Sequence, residues 1–215
     1  MSSARPSAYG ASMNESPSAS PAPPARADRT RGPSAARERL LRTASDLFYA
    51  DGVRGVGVDR VIAEASVTRA TFYRHFAGKE ALVVAYLEST DHVVRGLAGE
   101  IPEDAGEAAR WLTEVTLRIG DEVCRPGFRG CPFINAAAEF PDADSPVRRA
   151  VHAHRDWLRE AATLALRRAG HPDPVEGGRR WMALRDGAMV GGYLDGADAA
   201  RVTLREGVED LVATR

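Results

Sequence analysis

The chain reads as an all-α protein, with an N-terminal three-helix helix-turn-helix domain followed by a larger helical domain, about nine helices in all. Three observations point there. Apolar residues recur every three or four positions from Ser34 onward, and no segment alternates as a strand would. Gly, Pro and Ser punctuate the sequence where helices start and stop. The charge is split: Arg and Lys against Asp and Glu number 12 to 7 over residues 1–79 and 17 to 23 over residues 80–215, for a net charge of only -1. A basic front and an acidic back suit a chain with one end built for a polyanion and one end that avoids it.

Residues 1–30 are rich in Ser, Ala and Pro and hold too little apolar surface to offset the entropy of ordering, so a disordered tail is expected there. Arg26, Arg29 and Arg31 close it, either as a solvated linker or as an arm that reaches phosphates. Pro33 and Ser34 open a first helix through Leu40, Leu41, Ala44, Leu47 and Phe48, which Gly52 stops. A short helix follows from about Val58 to Ala65, then a turn at Ser66 and Val67, then a helix from Thr68 to about His75. A fourth starts near Lys79 and carries Leu82, Val83, Tyr86, Leu87, Val94 and Leu97.

Ala105 to Val123 forms the next helix, around Trp111, Leu112 and Val115, and Arg125 to Gly130 breaks it. Pro132 to Phe140 is a short apolar helix. Ser145 and Pro146 have the types of an N-cap and a first helical residue, opening a long helix that ends at Gly170. Pro174 opens another, through Trp181, Leu184, Met189 and Tyr193, and a last helix runs from about Asp198 to Val212. No internal repeat is visible.

The stretch from Val58 to Leu82, VDRVIAEASVTRATFYRHFAGKEAL, carries the chemistry. Phe72 and Phe76 are four apart, so they share one helix face and should pack on Val61, Ile62 and the first helix. The opposite face then offers Arg69, Ala70, Tyr73 and Arg74. Arg pairs bidentately with guanine, and a small side chain such as Ala touches a thymine methyl. Thr71, Tyr73, His75 and Lys79 flank that face, where hydroxyl, imidazole and ammonium donors suit phosphate oxygens. Lys79 also stands at a helix start, whose free N–H groups favour an anion.

This stretch resembles the DNA-binding domain of the TetR family of transcriptional regulators. TFYRHF followed by GKEAL is close to the family's signature, and LLRTASDLFYADG resembles its first helix; the strong match covers about Arg37 to Leu87. The resemblance implies base reading by Arg69, Ala70, Tyr73 and Arg74, and phosphate contact by Thr71, Tyr73, His75 and Lys79. It also implies a homodimer on a palindromic operator in double-stranded DNA, no enzymatic activity, and release by a small-molecule effector of unknown identity. On this reading residues 31–78 are the helix-turn-helix domain and residues 79–215 the effector-binding and dimerisation domain. Ser66 departs from the pattern, standing where the turn usually has Gly. If that position needs a positive φ, Ser bears a cost. Ile62 replaces a small Ala, and Gly57 replaces a capping Ser or Thr.

By the same resemblance, the fourth to eighth helices enclose a ligand cavity and the last two pair with a second subunit. The candidate pocket residues are Trp111, Val115, Phe133, Asn135, Phe140, Trp157 and Trp181. Asn135 stands out within the apolar run PFINAAAEF, because a buried amide needs partners and a ligand can be one. Trp181, Leu184, Ala188, Met189 and Leu194 suggest an apolar stripe for the partner, with Gly187, Gly191 and Gly192 allowing close approach.

The remaining classes find little support. Cys124 and Cys131 make no disulfide framework; they are either ordinary thiols or, flanking an arginine-rich break, a redox pair. His152 and His154 are two apart and so face different ways on a helix, which argues against a metal site with Glu139 and Asp156. No nucleophile–base pairing or phosphate-cradling loop is present, and no cofactor is expected. No apolar run suits a membrane span and no signal peptide is visible, so a cytoplasmic location is expected. A constitutive DNA-binding protein without sequence preference is the alternative, and the acidic second half argues against it.

Overall fold

Helix spacing and punctuation translate directly into backbone. The computed structural model describes Ala35–Thr214, and among these residues there are nine α-helices and no strand. The expected disordered tail, its arginines Arg26, Arg29 and Arg31, and the Pro33–Ser34 start lie outside the described residues. Helix α1 (Ala35–Asp51) buries Leu40, Ala44, Leu47 and Phe48. Helices α2 (Val58–Glu64) and α3 (Arg69–His75) are too short to be stable alone and owe their form to packing on α1. Phe72, Phe76 and Val61 join Leu40, Ala44 and Phe48 in one apolar cluster, with Ile62 packed at its edge. Leu82, Val83, Tyr86 and Leu87 of α4 (Lys79–Ala98) complete that cluster.

The turn between α2 and α3 is a helix C-cap followed by an N-cap. The Ser66 N–H donates to Ala63 O at 3.1 Å and the Val67 N–H to Ile62 O at 3.2 Å, which puts Ser66 in the left-handed position of a Schellman motif, at φ 51°. Thr68 then caps α3, its hydroxyl accepting from the Thr71 N–H at 3.1 Å. These few hydrogen bonds set the angle at which α3 is presented.

The rest of the chain is a helical stack. Helix α5 (Ala105–Val123) packs on α9 (Ala197–Ala213), which packs on α8 (Pro174–Leu194), which packs on α7 (Pro146–Arg168). The short α6 (Pro132–Glu139) lies against α7. Helices α6 and α7 end a residue or two earlier than the spacing suggests, because Phe140 and Ala169 serve as caps. A second apolar cluster forms around Trp111, Leu112, Leu158, Leu166, Trp181 and Val208.

Helix α8 corrects the expected partner stripe. Trp181, Ala188 and Met189 are buried in the chain's own core, and Leu184 packs against Gly207 of α9. A Cβ on Gly192 would stand 2.1 Å from Val123 Cγ1, so the close approach it permits is with α5 of the same chain. The large apolar side chains left exposed on these helices are Val175, Val190, Tyr193 and Leu194 on α8 and Val202 on α9. Of the expected stripe only Leu194 is exposed; the rest turns inward because α8 is apolar on more than one side. Among the described residues no helix is long and apolar enough to cross a membrane.

Ser66→Gly removes a Cβ from the left-handed region. It is expected to stabilise the protein by about 0.5–1 kcal/mol, the left-handed cost less the extra entropy of Gly. For a chain of this length the rise in Tm is about 1–4 °C. Thermal unfolding checks it, and a lower Tm would mean the Ser66 side chain contributes more than the strained φ costs.

Candidate nucleic-acid interface and interior cavity

Burying Phe72 leaves the other faces of α3 to solvent. Arg69, Ala70, Tyr73 and Arg74 are all exposed, Tyr73 at 51%, and Thr71, His75 and Lys79 lie half-buried around them. The Tyr73 ring meets Phe72 edge-on, with centroids 5.1 Å apart, which steadies its stance. Arg69 is drawn back to Asp59 of α2 in a close ion pair, a partner the sequence did not suggest. Both side chains are solvent-exposed, so the pair is weak and a competing acceptor displaces it at little cost. Lys79 is turned to the α1–α2 loop, its Nζ 3.5 Å from Arg54 O. Burial lowers its pKa, and the Glu139 carboxylate opposes that.

Glu139 connects this end to the rest. Its carboxylate, at the last turn of α6, accepts hydrogen bonds from the Val53 N–H at 2.9 Å and from the Arg54 N–H. Charged acceptors make strong bonds to backbone donors, so the α1–α2 loop is held by the carboxylate of a distant helix.

An interior cavity of about 580 Å³ lies where the two apolar clusters meet. Its wall includes Tyr49 of α1, Tyr86, Thr90 and Val94 of α4, Trp111, Val115 and Ile119 of α5, Phe133 of α6, His154, Trp157 and Leu158 of α7, and Trp181, Arg185 and Met189 of α8. Val93 and Leu97 also line it and are exposed, at 56% and 65%, which puts its mouth beside α4. The volume is that of a site for a drug-sized molecule. Of the seven pocket residues expected from sequence, Trp111, Val115, Phe133, Trp157 and Trp181 line this cavity.

Asn135 and Phe140 do not. Asn135 is half-buried and its Nδ2 donates to Arg129 O at 2.8 Å, so the amide closes the loop before α6. Phe140 caps α6 beside Arg54 and Lys79, in a shallow hollow at the other end of that helix. The amide's partner is the backbone six residues earlier, a local answer to the need for hydrogen bonds.

Most polar groups in the wall are already used. Trp111 Nε1 donates to Ala98 O at 2.7 Å and Trp181 Nε1 to Thr116 Oγ1 at 2.8 Å. The Tyr49 hydroxyl donates to Gly130 O at 3.2 Å and accepts from the Arg129 N–H at 2.9 Å; burial raises its pKa. His154 is 2% exposed and stacks flat on Phe133 with centroids 3.6 Å apart. Its Nδ1 lies 2.6 Å from Asp91 Oδ1. Burial pushes the imidazole down to about 4 despite that carboxylate, so the ring is neutral and Nδ1–H donates. Burial works against the Asp91 charge, but the hydrogen bonds from Arg95 and His154 outweigh it and hold the carboxyl below its usual range.

The signal for His154 was present in the sequence. Val147, Val151, His154, Leu158 and Ala161 share one buried stripe of α7, and His154 sits in register with the apolar residues. Arg185 is likewise in register with Trp181 and Ala188. Cys131 is buried and Cys124 half-buried, both as free thiols. Among the described residues no group of three metal-ligating side chains comes together.

Comparison with known proteins agrees in kind. Residues 40–86 match the family model described as bacterial regulatory proteins, tetR family. SCO4454, a TetR-family transcriptional regulator from Streptomyces coelicolor, is 45% identical; the superposition covers 85% of this chain and 90% of that one, with a TM-score of 0.78. The HTH-type transcriptional regulator LmrA of Bacillus subtilis is 28% identical over 127 residues, 56% of this chain and 66% of LmrA. The HTH-type transcriptional repressor NemR of Escherichia coli is 27% identical over 117 residues, 54% of this chain and 59% of NemR.

The neutral His154 makes stability depend on pH. Unfolded, an imidazole protonates near 6.5; folded, this one resists down to about 4. Between those values the unfolded chain binds more protons, so stability falls as pH drops through that window, by about 3 kcal/mol. His154→Phe keeps a ring against Phe133 and removes this contribution. Denaturant unfolding from pH 6.5 to 4 should show a shallower loss in the variant; equal slopes would contradict the assignment.

Proposed function

The chain belongs to the TetR family of transcriptional regulators, and we propose that it acts as a homodimeric repressor that a small molecule releases from its operator. DNA-binding regulation of transcription, not catalysis, is the activity of this family. The repressor sense is supported by similarity to NemR, a transcriptional repressor. Residues 31–78 are assigned to DNA binding and residues 79–215 to effector binding and dimerisation. Residues 1–30 are assigned as a tail. A protein that reads the chromosome works in the cytoplasm.

In this reading α3 lies in the major groove. Arg69, leaving Asp59, and Arg74 pair with base edges, Ala70 touches a thymine methyl, and Tyr73 stands between base and backbone. Thr71, Tyr73, His75 and Lys79 take phosphate oxygens and fix the register. The exposed Val190, Tyr193, Leu194 and Val202 face a second copy, apolar area that association removes from water. Two subunits set two copies of α3 about one DNA turn apart, which calls for a palindromic operator.

The observation that carries the effector reading is the cavity's position. Its wall is shared by α1, α4 and α6, the three helices that hold the DNA-binding end. Helix α6 has Phe133 in the cavity wall and Glu139 on the α1–α2 loop, about 9 Å apart along the helix axis. A ligand that displaces Phe133 therefore moves the carboxylate that holds Val53 and Arg54. The switch works only if the ligand binds the released arrangement better than the operator-bound one.

Selection of DNA from a random pool at physiological salt tests the reading. An enriched palindrome is expected. Arg69→Ala should cost about 1–3 kcal/mol on that site and relax the preference at one base pair. Lys79→Ala should weaken all sequences alike and flatten the salt dependence. No enrichment, with binding that salt abolishes, would favour nonspecific association; an unchanged site with Arg69→Ala would overturn the groove assignment.

A further inference from the structure

The cavity wall is largely apolar; besides the charged Asp46, Arg118, Glu122 and Arg125 that also line it, one pole sets an unused donor beside a buried guanidinium. Arg185 is 5% exposed and lines the cavity. Its Nη1 donates to Asp186 Oδ1 at 2.9 Å and its Nη2 to Cys131 Sγ at 3.2 Å, while its Nε has no partner among the described residues. A buried guanidinium with an unfilled N–H is costly unless something completes it. A thiol is a weak acceptor for a charged donor.

The local charge is also unbalanced. Asp186 is shared between Arg185 and Arg155, whose Nη2 lies 2.6 Å from Asp186 Oδ2. Burial works against the Asp186 charge, but the two guanidiniums outweigh it and keep the carboxyl ionised. One carboxylate against two guanidiniums leaves one positive charge over. Nearby, Asp91 is met by Arg95 and by the neutral His154, so that group adds no net charge.

Tyr86 supplies a second donor. It is 5% exposed, lines the cavity, and its hydroxyl makes no hydrogen bond among the described residues. Cys131 links the two: it touches Arg185 and belongs to the same buried apolar cluster as Tyr86. Burial first, then Tyr49 and Cys131, push the phenol far up, so it is a neutral O–H at any physiological pH. The other hydroxyls in the wall, Ser45, Tyr49 and Thr90, already donate to backbone carbonyls. Beyond the pole the wall includes Trp111, Val115, Trp157 and Leu158.

We propose that the cavity takes an apolar or aromatic monocarboxylate whose carboxylate is held at the Tyr86–Arg185 pole and whose body lies against the tryptophans. This rests on the effector reading above and narrows it to a chemical class. The anion supplies what the pole lacks: an acceptor for the Tyr86 hydroxyl and a charge to balance the surplus guanidinium. His154 Nε2, which only accepts, offers an anion nothing, so the donors alone set the orientation.

Three matched pairs test it by calorimetry on the full chain: 2-naphthoate, indole-3-propionate and decanoate, each against the primary alcohol of the same skeleton. At least one acid should bind tenfold or more tightly than its alcohol. Tyr86→Phe, which keeps the ring and the packing, should remove most of that preference by weakening the acid far more than its alcohol, and Arg185→Gln should abolish it. Alcohols that bind as well as the acids would overturn the anionic pole while leaving the effector cavity standing. An acid preference untouched by both substitutions would overturn the assignment to these two residues. If neither class binds, both the pole and the effector reading fall.

Discussion

The helix-turn-helix end is held from behind by one carboxylate. Helices α2 and α3 have seven residues each, too few to persist unaided, and the loop that leads into them has its Val53 and Arg54 amides bonded to Glu139 of α6. The same α6 presents Phe133 to the cavity, and α4 carries Leu82 and Val83 into the helix-turn-helix core before Tyr86, Thr90 and Val94 reach the cavity wall. The reading end and the cavity are thus two faces of the same few helices. A packed core transmits small shifts because it does not deform continuously, and the proposed switch relies on that to carry a change of occupancy in the cavity to α3.

The cavity itself is selective by exclusion. Its tryptophans spend their N–H groups on the protein, Trp111 on Ala98 and Trp181 on Thr116, and offer only apolar faces. The buried polarity of the wall includes the Tyr86 hydroxyl and the Arg185 guanidinium. A buried, hydrogen-bonded arginine is an expensive way to fill a core, and its retention there is more simply understood as chemistry than as packing.

Much of this was legible in the sequence. Pro, Gly and Ser at helix ends delimited the helices to within a residue or two, since each acts through its own backbone preference; Ser66 in particular stood where a positive φ was needed, and it adopts φ 51°. Helical spacing also separated buried Phe72 and Phe76 from exposed Arg69, Tyr73 and Arg74. What did not follow was anything set by the third dimension. Asn135 looked like a polar group in want of a ligand, but the loop before it folds back to supply Arg129 O. Phe140 lies at the far end of α6 from Phe133, where periodicity alone does not say which end meets a void. The α8 stripe was assigned to a partner because a helix apolar on two sides gives no sign of which is internal. His154, Arg185 and Glu139 were passed over because a polar residue in an apolar register looks like an exception until its partner, Asp91, Asp186 or the Val53 amide, is found elsewhere in the chain.

The central claim is that occupancy of the cavity and affinity for the operator are coupled, and one titration bears on it most directly. Operator affinity of the full chain is measured by fluorescence anisotropy at physiological salt, with and without a saturating concentration of the tightest-binding acid or alcohol. The account predicts a fall of about tenfold or more, a coupling of the usual allosteric size. An operator affinity that stays the same with the cavity filled would contradict it.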